Sequence, residues 1–319
     1  MSNANSAVAV IVGGGTMGAD VAIVFARGGW TVVVVEPGAE RRQGLPAHWA
    51  RELEKTGHGA ALGAMSSVDA LSAAPWARTR IVVECAPERL EVKRAVFEEC
   101  FEHALTDAIL ASNSSSFPIS TIAQGLATRE RMVGLHFFMP AHLVPLVEVV
   151  SSVDTGPAVA ERLSAIMRDL GRVPVQVKRD LPGFLANRMQ HALAREAFAL
   201  IEAGIASAED IDSAVRFGFG FRFLAAGPAL QRDHAGLDVH CAAAATMYPS
   251  LSTASEPSSE LSSRVASGRL GMKAGAGFFD WTPETIAAER ERYDAALAAG
   301  LKLIAGELPP IRPLEPDAS

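Results

Sequence analysis

Val8–Glu36 reads VAVIVGGGTMGADVAIVFARGGWTVVVVE, and this stretch decides the fold. Val8–Val12 is an unbroken apolar run. Gly13–Gly15 follows as a turn, Met17–Arg27 as a helical pattern closed by Gly28-Gly29, and Thr31–Glu36 as a second β-branched run. Continuous apolar runs of this length fit strands covered on both faces, as in parallel sheets. Further strands are expected at Arg80–Cys85, Ala108–Ser112, Met132–Phe137, Leu146–Val150 and Val173–Lys178. Helices are expected between most of them, such as Leu90–His103 and Ala158–Leu170. This alternation predicts an α/β fold with a doubly wound sheet.

The texture changes after Lys178. Leu181-Pro182-Gly183 is a turn signal, and helical patterns then dominate: about Phe184–Ala203, Ala208–Phe217, Ala235–Tyr248 and Thr285–Ala305. Ser207 with Asp210 resembles a capping box, with Asp in place of Glu. The polar stretch Ser250–Ser263 reads as a loop, and Pro309–Pro316 as an extended tail. The expected division is a doubly wound α/β domain over 7–180 and an all-α C-terminal domain over 181–319.

The chain has 319 residues, 49% hydrophobic and 20% charged, with a formal charge of −7. About two domains fit that length, and the composition excludes intrinsic disorder. An acidic chain without clustered Lys and Arg is a poor nucleic-acid binder, so no such partner is expected. The three cysteines, Cys85, Cys100 and Cys241, build neither a disulfide scaffold nor a zinc site; no metal is expected, and a reducing cytoplasm is the simplest compartment. Apolar runs such as Val32–Val35 are strand-sized, so no membrane segment is expected, and Met1–Ser6 lacks the features of a signal peptide.

Gly13-x-Gly15-x-x-Gly18 lies between a strand and a helix, with acidic Glu36 ending the next strand. Gly13 permits a tight turn, Gly15 lets backbone approach a pyrophosphate, and Gly18 lets helix and strand pack closely. The helix N-terminus offers free N–H groups to phosphate. Gly13, Gly15, Thr16, Met17, Gly18 and Glu36 are therefore the candidate dinucleotide residues. A carboxylate at Glu36 accepts from ribose hydroxyls and repels a 2′-phosphate, which favours NAD over NADP; neighbouring Arg41 and Arg42 weigh the other way.

Four more segments carry polar residues that propensity does not demand: Glu84–Lys93 (ECAPERLEVK), Ala111–Pro118 (ASNSSSFP), Gly134–Val149 (GLHFFMPAHLVPLVEV) and Leu181–Arg188 (LPGFLANR). Taken singly, His136 or Glu148 reads as a structural residue, Ser114–Ser116 as a helix cap near Ile119, and Asn187 as surface polarity. In this order behind the glycine loop, the set resembles the 3-hydroxyacyl-CoA dehydrogenase family. The resemblance runs from Val8 to Trp281 and ends on Gly271–Trp281 (GMKAGAGFFDW). It implies that His136 is the general base and acid, that Glu148 orients it, and that Ser115 and Asn187 bind the substrate oxygen. It places Glu88, Lys93 and Asn113 near the nicotinamide end of the cofactor. It also implies that 7–180 is an NAD-binding Rossmann domain, that 181–319 is a helical domain for substrate and dimerisation, and that the protein is a homodimer. His142 has no counterpart in the family pattern.

Three departures bear on substrate. The segment from Glu36 to Glu84 is shorter than in acyl-CoA members, where a helical hairpin helps hold CoA. Pro145 stands where those members have Lys. Arg222 precedes Gly227-Pro228 at a spacing that resembles the branch acting on small free hydroxy acids, where an Arg meets the substrate carboxylate. Met139 also replaces the usual Asn of HFFNP. The resemblance implies oxidation of a 3-hydroxyacyl-CoA such as 3-hydroxybutyryl-CoA. The alternative is the same chemistry on a gulonate-, carnitine- or 3-hydroxybutyrate-like acid. A catalytically silent NAD-binding protein is the third reading.

Overall fold

A computed structural model describes residues 7–314. Eight strands form one sheet: β1 (Val8–Val12), β2 (Thr31–Val35), β3 (Met65–Val68), β4 (Thr79–Glu84), β5 (Ile109–Ser112), β6 (Met132–Phe137), β7 (Leu146–Val150) and β8 (Val173–Val177), in the order β3-β2-β1-β4-β5-β6-β7-β8. Neighbouring pairs are parallel except β6 with β7. The strand order reverses between β1 and β4, where doubly wound sheets open a ligand crevice. Among the described residues, five α-helices alternate with these strands: α1 (Thr16–Arg27), α2 (Ala39–Lys55), α3 (Leu90–His103), α4 (Ile119–Ala123) and α5 (Pro157–Asp169). The core lies on both faces of the sheet. Ile11, Val34, Val83 and Leu135 pack with Phe25 and Trp49 on one face; Val10, Val82 and Leu110 pack with Phe97 and Ile122 on the other.

Two of these elements were not expected from sequence. Gly44 and Pro46 mask α2, which nevertheless buries Leu45, Trp49 and Leu53 at helical spacing. Short β3 (MSSV) lies at the sheet edge beside β2 and is only half-buried, so it lacks the apolar signal of a central strand.

Contacts divide the chain into two compact units. The first holds residues 7–185 and returns for 306–314; the second is Ala186–Ala305. The division falls a few residues past the expected 180/181. The stretch from Gly306, assigned by sequence to the helical half, groups with the nucleotide-binding unit. The cause is backbone pairing: Ile311 bridges Leu170, the Arg312 N–H donates to Asp169, and that of Leu314 to Gly28. Expected tail residues Glu315 and Pro316 lie outside the described residues.

The second unit is helical: α6 (Ala186–Glu202), α7 (Ala208–Ala214), α8 (Gly220–Arg222), α9 (Pro228–Ala235), α10 (Leu237–Met247), α11 (Ser259–Ala266) and α12 (Pro283–Leu303). Ser207 caps α7, its Oγ accepting from the Asp210 N–H. Helix α11 corrects the expected loop over Ser250–Ser263. Ser258 caps it, accepting from Leu261 N–H, and the serines that read as loop residues supply a helix start. No helix among the described residues is long and apolar enough to cross a membrane.

Candidate active site

The glycine loop turns where β1 meets β4. Gly13 has φ +104°, and a Cβ there would sit 2.6 Å from the Cys85 carbonyl oxygen. A Cβ on Gly18 would sit 1.8 Å from the Gly13 oxygen, so close packing requires glycine at both places. Gly15 differs: a Cβ would meet nothing within 4 Å, so its backbone faces open space. Gly15 is also the N-cap of α1 and supplies no side-chain cap, which leaves the first amides of the helix for a ligand. A cleft of about 1390 Å³ runs along Gly13–Thr16, past Glu36 and Leu71, to Cys85–Pro87 at the end of β4.

Glu36 is anchored rather than loose. Its Oε2 accepts from Gly14 N–H at 2.9 Å, its Oε1 from Gly38 N–H at 2.8 Å, and Arg41 lies 3.2 Å away. Burial works to raise its pKa, but the two amides and Arg41 outweigh it and hold the carboxyl below its usual range. Arg42 donates to the Glu36 and Pro37 carbonyls. Both arginines that weighed towards a 2′-phosphate are thus engaged with the Glu36 turn. The open glycine cradle, the uncapped helix and this acidic turn fit NAD.

A polar knot gathers around the end of β4, with Glu84 and Lys93 buried at its centre. Lys93 Nζ lies 2.9 Å from Glu84 Oε1 and 3.0 Å from Glu88 Oε2. Glu84 also accepts from Ser112 Oγ at 2.6 Å and Ala86 N–H at 2.7 Å. Burial pushes the Glu84 carboxyl up; the Lys93 ammonium and the hydrogen bonds oppose this without cancelling it. Glu84 opens the polar segment Glu84–Lys93 of the sequence but carries no role there; what marks it is a carboxylate nine residues before Lys93, which lies one helical turn into α3. Ser114, and not Ser115, bonds Glu88, donating to Oε1 at 2.6 Å. Ser115 is exposed beside it. Asn113 Oδ1 accepts from Phe137 N–H at 2.8 Å, tying the β5 loop to the end of β6.

His136 and Glu148 are directly opposed in the antiparallel β6–β7 register, which puts both side chains on one face. His136 Nδ1 lies 2.7 Å from Glu148 Oε2, and both residues are buried. Glu148 Oε1 accepts from Leu185 N–H at 2.9 Å. That amide is presented by the Pro182–Phe184 turn, where Gly183 has φ +75° and Phe184 φ +47°, an uncommon conformation for an aromatic residue. The Phe184 and Phe138 rings stand edge-on to the imidazole at 5.4 and 4.6 Å. With Glu148 accepting at Nδ1, the ring is held as the Nδ1–H tautomer and Nε2 keeps the basic lone pair.

Met17, in the first turn of α1, packs against the core and does not line the cleft. The two remaining sequence candidates belong to the second unit. Asn187 lies in the first turn of α6, and Arg222 ends α8 as an exposed residue with no carboxylate partner among the described residues.

The sequence and structure match known proteins along most of the chain. Residues 7–181 match the family described as "3-hydroxyacyl-CoA dehydrogenase, NAD binding domain", and residues 183–281 match its C-terminal domain. A relative from Mesorhizobium japonicum, 5-formyl-3-hydroxy-2-methylpyridine 4-carboxylate 5-dehydrogenase, is 32% identical over 93% of this chain and 97% of its own. A crystal structure of such a dehydrogenase, described as an NAD+ dependent dismutase, superposes with a TM-score of 0.88 at 31% identity, covering 93% of this chain and 98% of the other. The (S)-3-hydroxybutyryl-CoA dehydrogenase of Ralstonia eutropha superposes with a TM-score of 0.71 at 29% identity, covering 86% and 99%.

Proposed function

The chain belongs to the 3-hydroxyacyl-CoA dehydrogenase family and is an NAD-dependent dehydrogenase acting on a hydroxyl group, and from that premise we propose that it oxidises a small free hydroxy acid rather than a CoA thioester. The observation that carries this is the connection from β2 to β4. It holds the single α-helix α2, short 3₁₀ turns at Gly59–Ala64, Leu71–Ala73 and Trp76–Arg78, and β3, in place of the helical hairpin that the family resemblance associates with CoA. The higher TM-score to an enzyme of a free pyridine carboxylate supports the same reading.

In this reading Nε2 of His136 takes the hydroxyl proton as the carbinol C–H bond breaks. Glu148 orients the ring and stabilises the imidazolium that forms. Ser115 and Asn187 hydrogen-bond the reacting oxygen, and Arg222 takes the substrate carboxylate as a planar donor fork. Glu88, Lys93 and Asn113 hold the nicotinamide end of the cofactor site. Bound NAD supplies the hydride acceptor.

The test is NADH formation over 3-hydroxybutyrate, gulonate, carnitine, a hydroxymethylpyridine carboxylate and 3-hydroxybutyryl-CoA. A free acid is expected to have the highest kcat/KM, and Arg222→Ala is expected to raise its KM at least tenfold, about 1.4 kcal/mol. A preference for the thioester would replace this substrate reading with the CoA one. NAD binding without turnover on any of them would favour a silent binding protein.

The proposal includes a homodimer formed through the helical unit. No apolar side chain of residues 186–305 is fully buried, and Phe217 and Phe221 are 74% and 68% exposed. Monomeric proteins rarely leave large contiguous apolar surface uncovered. Light scattering at micromolar concentration is expected to give twice the chain mass of 33.6 kDa; a monomer would refute the dimer.

A further inference from the structure

His142 has no role in the chemistry above, yet it is 7% exposed and flanked by two buried carboxylates. Asp20 lies in α1, between buried Ala19 and Val21, and is itself 2% exposed. A carboxylate there requires partners. Its Oδ1 lies 2.9 Å from His48 Nε2, and its Oδ2 lies 3.1 Å from His142 Nδ1. The second approach is a close polar contact out of line for a hydrogen bond. On its other side, His142 Nε2 lies 3.6 Å from Glu52 Oε2 of α2, a carboxylate also held by Arg51 and Lys55. Burial works to raise the Asp20 pKa, but the two histidines outweigh it and hold that carboxyl below its usual range.

The backbone around His142 is held as well. Arg27 donates to the His142 carbonyl at 3.4 Å, and Arg172 to those of Ala141 and Val144 at 3.3 and 3.2 Å. These residues form the 138–145 loop, which leaves β6 after His136 and enters β7 before Glu148. The β6–β7 ladder itself pairs His136 with Glu148. What the loop contacts add is a link to α1, the helix that starts at the phosphate cradle.

We propose that His142 is a positioning residue: with Asp20 it ties the 138–145 loop to the phosphate-loop helix, and so sets the His136–Glu148 pair in register with the cofactor site. This rests on the reading of His136 as the base.

The experiment compares His142→Ala, His142→Gln, Asp20→Asn, the double variant His142→Ala/Asp20→Asn, and His136→Ala. Each is measured for kcat on the best substrate, NAD Kd by fluorescence titration, Tm, and amide exchange of the 138–145 segment without cofactor. His142→Ala is expected to lower kcat about 10- to 100-fold, since small misplacements of reacting groups are costly. Its NAD Kd is expected to stay within about threefold, with protection lost across 138–145. His142→Gln keeps a buried amide donor between the Asp20 and Glu52 carboxylates and is expected to restore most of kcat. The double variant is expected to be no worse than the poorer single, because both cut one link. Three results would overturn the proposal: kcat within twofold of wild type in His142→Ala, recovery of Tm but not kcat in His142→Gln, or additive single effects. If His142→Ala does not fold, His142→Gln and Asp20→Asn carry the same comparison. Full activity in His136→Ala would instead overturn the reading of the base and leave the loop link to be judged by exchange alone, where unchanged protection in His142→Ala refutes it.

Discussion

Replacing His136 with Ala is expected to lower kcat about 10²–10⁴-fold, the usual cost of losing a general base. The substitution takes the imidazole partner from buried Glu148, which keeps the Leu185 amide, and leaves the packing of the strand in place. His136 lies in a strand whose neighbours Leu135 and Phe137 point to the opposite face and carry the packing. The imidazole is held from one side by Glu148 and touched by ring edges of Phe138 and Phe184. Ala therefore removes the base while the ladder stays paired. NAD affinity should change little, because the glycine cradle and Glu36 lie across β4 and β5 from the pair. Steady-state kinetics with NAD titration checks both. A parallel loss of kcat and NAD binding would mean that the imidazole holds the cofactor rather than serving as base.

Replacing Lys93 with Met is expected to give the largest loss of stability, about 3–5 kcal/mol, because it strands a buried carboxylate. Glu84 is fully buried, and without the Lys93 ammonium the partners left to it among the described residues are Ser112 and the Ala86 amide. Burial already pushes its pKa up with the lysine in place, so removing the cation drives the carboxyl further towards the neutral form. Thermal unfolding reads the effect, at about 2–4 °C per kcal/mol for a unit of this size. Adding Glu84→Gln to Lys93→Met should recover part of the loss. If the double variant melts no higher than the single, an unpaired charge is not the cause.

The phosphate loop and the central strands were legible because local physics writes them into adjacent residues. Three glycines at set spacing follow an unbroken apolar run, and a carboxylate ends the next strand. Glu148 and His136 were legible as a pair only through resemblance; nothing local states that β7 turns antiparallel and sets them opposite one another. β3 escaped because an edge strand is half solvated, and α2 because Gly44 and Pro46 interrupt its pattern while Leu45, Trp49 and Leu53 still meet the sheet. Ser258 was read as loop chemistry and acts as a cap, the same hydrogen-bonding habit used at a helix start. The Asp20–His142 contact joins residues in α1 and the β6–β7 loop. Such pairings follow from tertiary packing and leave no periodic trace. Arg27 and Arg172 were invisible for the same reason, since their partners are backbone carbonyls. Burial, with Arg27 nearby, brings the Arg172 pKa down to about 10.

A crystal structure of the protein with NAD and its best substrate or product tests the central claim most directly. The account predicts His136 Nε2 within about 2.6–3.2 Å of the reacting oxygen, with Glu148 still on Nδ1 and the substrate carboxylate on Arg222. A reacting oxygen held away from the imidazole, with water or another side chain as its proton acceptor, would contradict it.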